Sequence, residues 1–235
     1  MGSLNYSIGR IRAMESFLLS QDFLQKVLFA KDFNSAISLL AENKRWGQVI
    51  KSFENSDDYL AMLEIEQRNV IALLLDLSER AIEIEALSKK HFMAFLQDDY
   101  LQDLKLAAQK SNSALFRKIV YASEVFWKII YSLLQGGSPD TTLQKYAFVD
   151  FSKEIQSGIE EFKKGRDFSA LDKEYDNILL KTAKIAKYES FGINPLIGFF
   201  ISQEMEIKNL QLILSSKKNG VNPEKTKNYL RASYV

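Results

Sequence analysis

Apolar residues recur along most of the chain at three- and four-residue intervals, the spacing that puts them on one face of an α-helix. Residues 6–19 predict a first helix, with Tyr6, Ile11, Met14 and Leu18 close to the helical repeat and Arg10 and Arg12 riding on it. Residues 33–53 predict a second unit that starts at Asn34 or Ser35 and carries Ile37, Leu40, Trp46, Val49, Ile50 and Phe53 on one broad side. From 58 to about 109 the pattern is almost continuous, with a break expected near 88–90. Residues 113–135 follow, with Leu115, Ile119, Tyr121, Phe126, Ile130 and Leu133 in step. Gln135, Gly136, Gly137, Ser138 and Pro139 then concentrate turn chemistry, and the main organisational boundary is expected there or slightly before. The corresponding division is an N-terminal helical repeat over 1–110 and a C-terminal one over 111–235, with the loop 135–140 near the boundary.

Further helices are expected over 150–163 and 171–188. The next is better punctuated: Asn194 can cap a helix whose first position is Pro195, and Asn219-Gly220 can end it with a left-handed residue. Such a helix is about 24 residues and roughly 36 Å long. Lys217 and Lys218 sit in its last turn, where cations suit the helix dipole. Asn222-Pro223-Glu224 repeats the cap-proline start and opens a short terminal helix expected to end near Tyr234.

Composition narrows the class. Ten glycines and three prolines in 235 residues are about half the usual share of roughly 12%, so long elements with few turns are implied. Eight valines, outnumbered severalfold by leucine, favour helix over sheet, and the fold expected is all-α. Lysine plus arginine (31) nearly cancels aspartate plus glutamate (30), which disfavours nucleic acid as a partner. Zero cysteines remove disulfides, thiolate zinc sites and cysteine nucleophiles, and agree with a reducing compartment. With His91 as the single histidine, a Ser-His-Asp triad or a two-histidine metal site is hard to build. No apolar block follows a basic start, so no signal peptide is expected. The longest uncharged stretch, 190–203, is 14 residues, short of the ~20 that span a bilayer.

Two acids on the long helix differ in placement. At 100° per residue, Glu206 falls about 200° from Glu204, inside an apolar stripe that includes Phe199, Leu210 and Ile213, with Asn209 at its edge. Glu204 faces Lys208 four residues on, the favourable order for a solvated ion pair. A buried carboxylate needs a cation or several donors, and Arg10 and Arg12 are the expected partners of Glu206, in an inter-helix salt bridge that fixes packing. Segments 98–106 and 64–70 echo 204–212: the first keeps acid, aliphatic and Leu-x-Leu positions, and the second matches two Glu and an Asn, suggesting an internal helical repeat. Glu79, Glu83 and Glu85 read as a solvated face, and Phe191, Phe199 and Phe200 as core. Gly136-Gly137 lacks the lysine and spacing of a phosphate loop. No catalytic constellation and no cofactor site emerges.

The residues 6–15 (Tyr6-Ser7-Ile8-Gly9-Arg10-Ile11-Arg12-Ala13-Met14-Glu15), followed by Leu18-Leu19, resemble the start of the C subunit of vacuolar-type and archaeal-type rotary ATPases, known as d in eukaryotes. Pro195-Leu196-Ile197, Glu204-x-Glu206-Ile207-x-Asn209-Leu210, Ile213, Lys217, Gly220 and Leu230 resemble that family's closing signature. Asp99-Tyr100 with Asp103-Leu104-Lys105 is similar to an internal family motif in which asparagine usually stands at the Asp103 position. The resemblance implies helical lobes forming a funnel-like or elongated array with no active site. It implies a protein peripheral to the cytoplasmic face of a membrane, partnered by central-shaft subunits and a proteolipid ring, that passes torque between them. Usual members have three lobes; only two repeat endings are clear here, so two are expected. Tyr6, Arg10, Arg12, Glu204, Glu206 and Asn209 are the signature residues, expected to be architectural or partner-facing.

The alternative is a free-standing helical adaptor that kept the fold without the ring. A carboxylate-and-metal hydrolase of helical-bundle type is disfavoured by the near absence of histidine.

Overall fold

The computed structural model describes residues 2–53, 58–89, 98–165 and 167–235. His91, and residue 90 of the expected break near 88–90, lie outside the described residues. Among those described the chain is all-α: thirteen α-helices and one 3-10 turn, with no strand. The first five helices are α1 (Gly2–Glu15), α2 (Gln21–Leu28), α3 (Phe33–Leu40), α4 (Lys44–Ser52) and α5 (Tyr59–Leu77). Then come α6 (Ile82–Ser88), α7 (Asp98–Lys110), α8 (Ala114–Leu134), α9 (Pro139–Tyr146) and α10 (Ser152–Gly165). The last are α11 (Ser169–Ala183), with the 3-10 turn Lys184–Tyr188 behind it, α12 (Asn194–Lys218) and α13 (Pro223–Lys227).

Short polar side chains set many of the helix starts. Ser20, Asp32, Asn43, Asp58, Ser113 and Asn222 each accept a hydrogen bond from a backbone N–H in the first turn of the helix that follows, satisfying donors that have no partner within the helix. These caps split the expected 33–53 unit in two, because Asn43 accepts from the N–H groups of Arg45 and Trp46 and starts α4 afresh. Ser20 likewise opens α2, which lay beyond the expected first helix; α1 ends at Glu15. The Gln135–Pro139 turn is followed at once by α9, with Pro139 in its first turn.

The long 58–109 pattern breaks at Ser88, where α6 ends within the expected 88–90 break, and also earlier, after Leu77, where no break was expected. Glu79 and Arg80 both take positive φ (52° and 58°); Glu79 N–H donates to Asp76 O at 3.0 Å and Arg80 N–H to Leu75 O at 2.7 Å, closing α5. Glycine normally fills the first of these positions, so the stop carries no local mark. Gly220 is the expected counterpart: at φ 64° it ends α12, with Val221 N–H reaching Ser216 O at 2.9 Å. Two other expectations need correction. The helix from 171 tightens into the 3-10 turn after Ala183, and the terminal helix stops at Lys227, beyond which 228–235 has no helical structure.

The apolar core forms two clusters joined by α12. The larger takes Leu196 to Met205 of α12 together with Ile8 and Ile11 of α1, the second half of α5, and α6, α7, α8, α10 and α11. The smaller takes Ile207, Leu210, Ile213 and Leu214 together with α2, α3, Trp46, and Tyr59, Met62 and Leu63 of α5. Because the start of α5 meets the end of α12 and its end meets α12's start, these two central helices run antiparallel. Gly198 lets α12 lie close to the 3-10 turn: a Cβ there would sit 2.7 Å from Ala186 Cβ and 3.1 Å from Ala183 O.

Candidate functional site

Eighteen of the 25 residues of α12 are buried, so the helix has no solvated stripe over most of its length. Glu204, expected to face water, is therefore buried. Lys208 Nζ donates to both oxygens of Asp176 on α11, at 2.6 and 2.7 Å. A helical wheel locates one apolar face; it does not reveal that neighbours cover the opposite face as well.

Glu206 lies at the junction of the two clusters and is held by three donors. Leu19 N–H donates to its Oε2 at 2.6 Å, while Arg45 Nη1 and Trp46 Nε1 each donate to its Oε1 at 2.9 Å. Arg45 reaches onward to Glu66 of α5, donating from Nε to Oε1 at 2.9 Å; its Nη2 lies 2.9 Å from the same oxygen but off the hydrogen-bonding direction. Burial pushes the Glu206 carboxyl above its ordinary value, and Arg45, the Leu19 amide and the Trp46 indole pull it back. One acid thus binds the α1–α2 connection, α4 and, through Arg45, α5 to α12.

The expected partners of Glu206 were Arg10 and Arg12, and the structure assigns them elsewhere. Arg10 is exposed. Arg12 Nη1 pairs with both carboxylate oxygens of Glu15 at 2.8 Å, and its Nη2 donates to the carbonyl oxygens of Ala186 and Glu189 at 2.6 and 2.7 Å, fastening α1 to the 3-10 turn. Tyr6 is exposed.

A second polar network pins residues 228–235 against the helices. Asn209 Nδ2 donates to Arg231 O at 3.1 Å and Asn209 Oδ1 accepts from Arg231 N–H at 2.8 Å. The Arg231 side chain meets Asp176 at 2.9 Å and Asp172 at 2.5 Å, so the fully buried Asp176 is shared between Lys208 and Arg231. Ser233 Oγ donates to Leu19 O at 2.6 Å, and Lys187 donates to Tyr234 O at 3.0 Å. Burial raises the Tyr234 hydroxyl above the usual phenol range.

Asn194 proves not to be a cap. Its Oδ1 accepts from Ser113 Oγ at 2.6 Å and its Nδ2 donates to Glu189 Oε2 at 2.6 Å, which ties the start of α8 to the segment before α12. Glu83, expected on a solvated face, is buried and accepts from Ser111 Oγ. Phe199 and Phe200 are core, whereas Phe191 is 74% exposed.

Arg45, Asp176 and Arg231 carry these networks and were not singled out by sequence; of their companions, Trp46 read only as part of an apolar face and Glu66 only as the residue aligned with Glu206 in the internal echo. In space the two aligned acids grip the same guanidinium. The Glu206 oxygens are occupied by donors, which suits a fastening better than a general base. No group of three His, Cys, Asp or Glu that could hold a metal exists among the described residues, and no helix there is long and apolar enough to cross a membrane.

Residues 126–229 match the family described as ATP synthase (C/AC39) subunit. The chain is 29% identical over 105 residues to the A-type ATP synthase C subunit of Methanocaldococcus jannaschii, covering 44% of this chain and 26% of that protein. It is 26% identical over 98 residues to the A-type ATP synthase C subunit of Methanosphaera stadtmanae, covering 41% and 25%. It is 31% identical over 85 residues to the V-type sodium ATPase C subunit of Enterococcus hirae, covering 36% and 25%. The aligned segment therefore spans about a quarter of each relative's length. These matches support the C-subunit family of V-type ATPases.

Proposed function

We propose that this chain, whose residues 126–229 carry the pattern of the V-type ATPase C-subunit family, is a non-catalytic central-stalk subunit of a V-type H+- or Na+-transporting ATPase or ATP synthase. In this reading it is a socket that couples the central shaft to the membrane proteolipid ring. The observation that carries it is the family match, which takes in the whole of α12 with Glu206 and Asn209. A part that transmits torque needs helices that do not slide past one another. The buried fastenings around Glu206, Asn209 and Asp176 suit that need, since a charge stripped of its partner in the interior costs several kcal/mol.

Among the signature residues, Arg12, Glu206 and Asn209 are architectural, and buried Glu204 belongs with them. Tyr6 and Arg10, on the surface of α1, are free to face a partner. The two helical repeats, 1–110 and 111–235, are part of the same reading, as are a place on the cytoplasmic side, peripheral to the membrane, and the absence of a cofactor. Affinity purification of the tagged chain from native membranes tests it. Recovery of shaft and proteolipid subunits is the expected result; a preparation that contains neither would sink the reading.

A further inference from the structure

Exposed apolar side chains gather where the first turns of α8 face the segment after α11. Tyr121 and Ile185, 44% and 50% exposed, wall an open groove of about 470 Å3 that is lined at depth by buried Leu115. Tyr188 and Phe191, among the most exposed aromatic rings described, stand on the Ile185 segment within six residues of it. An open groove walled by exposed apolar side chains marks a place where something binds. The segment is braced: Arg12 holds the carbonyls of Ala186 and Glu189, and Asn194 links Glu189 to Ser113 at the start of α8.

The rim is cationic. Arg117 and Lys118 border the groove on α8. Arg117 Nη1 donates to a backbone carbonyl, that of Ser111, at 2.7 Å. Lys118 is exposed and has no ion-pair or hydrogen-bond partner among the described residues. Glu189 is the acid on the groove; its Oε2 accepts from Asn194 Nδ2, and the two cations of α8 outnumber it.

We propose that this groove docks a helical segment of a partner protein that inserts an apolar side chain between Tyr121 and Ile185 and sets carboxylates against Arg117 and Lys118. Concavity and charge together select this occupant. A lipid surface is flat, whereas an amphipathic helix can set one or two anchor residues into an open groove of this volume. Basic side chains at the edge of an apolar site favour an acidic partner and repel a basic one. The proposal stands on the groove alone and goes beyond the rotary reading, which a purification of the whole complex tests separately.

Photo-crosslinking of the full chain in its native host tests it, with p-benzoylphenylalanine replacing Tyr121 and the adduct identified by mass spectrometry. The expected adduct is a peptide with apolar residues at i, i+3 and i+4 and at least two carboxylates. Lys118→Glu, alone and with Arg117→Glu, should cut its yield about tenfold, equivalent to the loss of roughly one favourable charge contact. A probe at Phe148, exposed between α9 and α10, should not report the same peptide. An adduct with lipid or with a basic segment, an adduct indifferent to Lys118→Glu in a variant that melts like the parent, or no adduct at all overturns the proposal.

Discussion

Asn209 holds the backbone of Arg231 from both sides, giving a hydrogen to its carbonyl oxygen at 3.1 Å and taking one from its amide at 2.8 Å. The side chain lies on α12 and the backbone belongs to a segment without helical structure, so this amide does for the segment what a neighbouring strand would do in a sheet. Asn209→Ala strips both partners. The expected loss is about 1–3 kcal/mol in urea unfolding at unchanged m-value. The Arg231 amide should also exchange with solvent about tenfold faster while the α8 amides keep their protection. Unaltered exchange at Arg231 would show that the side-chain pairs to Asp172 and Asp176 suffice without Asn209.

The Arg45 clamp predicts an order of effects. Glu206→Gln removes one of two acids on the guanidinium; Arg45→Met strands both Glu66 and Glu206. Each should cost about 3–5 kcal/mol or more, with Arg45→Met the costlier, because a buried charge loses its partner. The two together should show a coupling of about 1–3 kcal/mol, while Glu206→Gln with Arg12→Gln should be additive to within ~0.5 kcal/mol, since Arg12 serves Glu15 and the 3-10 turn. A double-mutant cycle by denaturant unfolding decides both, and coupling between Arg12 and Glu206 would contradict the geometry.

Burial raises the Glu206 carboxyl above 4.5, so between that value and its value in the folded protein the native state binds more proton than the unfolded chain. Stability from this group then falls as pH rises across the window. The stability advantage of the parent over Glu206→Gln should therefore narrow as pH is raised from about 4.5 toward neutrality. A widening gap would mean that Arg45, Leu19 and Trp46 outweigh burial.

Two helical glycines should respond in opposite directions to alanine. A Cβ at Gly9, on the exposed side of α1, would meet nothing within 4 Å, so Gly9→Ala should add about 0.5–1 kcal/mol through helix propensity. Gly198→Ala would press on Ala186 and on the Ala183 carbonyl, and should cost about 1–3 kcal/mol despite the same propensity gain. Thermal melts of the two variants give the signs directly; a stabilised Gly198→Ala would show that the 3-10 turn yields easily.

Hydrophobic spacing of 3.6 residues and a low share of turn residues sufficed for the all-α fold. Local cap chemistry sufficed for the end of α12 at Gly220 and the start of α13 at Asn222, because those signals act within one turn of chain. The burial of Glu206 was legible for the same reason, since its position on the helix face follows from residue spacing alone. Its partners were not: Arg45 and Trp46 lie about 160 residues away in sequence, and which cation reaches a buried acid depends on how α4 docks. The stop at Glu79 and the burial of Glu204 were likewise hidden. The one relies on left-handed backbone at residues that do not advertise it, the other on helices covering α12 from several sides. Sequence by itself determined the all-α class and the need for a buried charge partner; tertiary packing decided which residue met that need and which surface stayed open, because both are set by contacts between segments far apart along the chain.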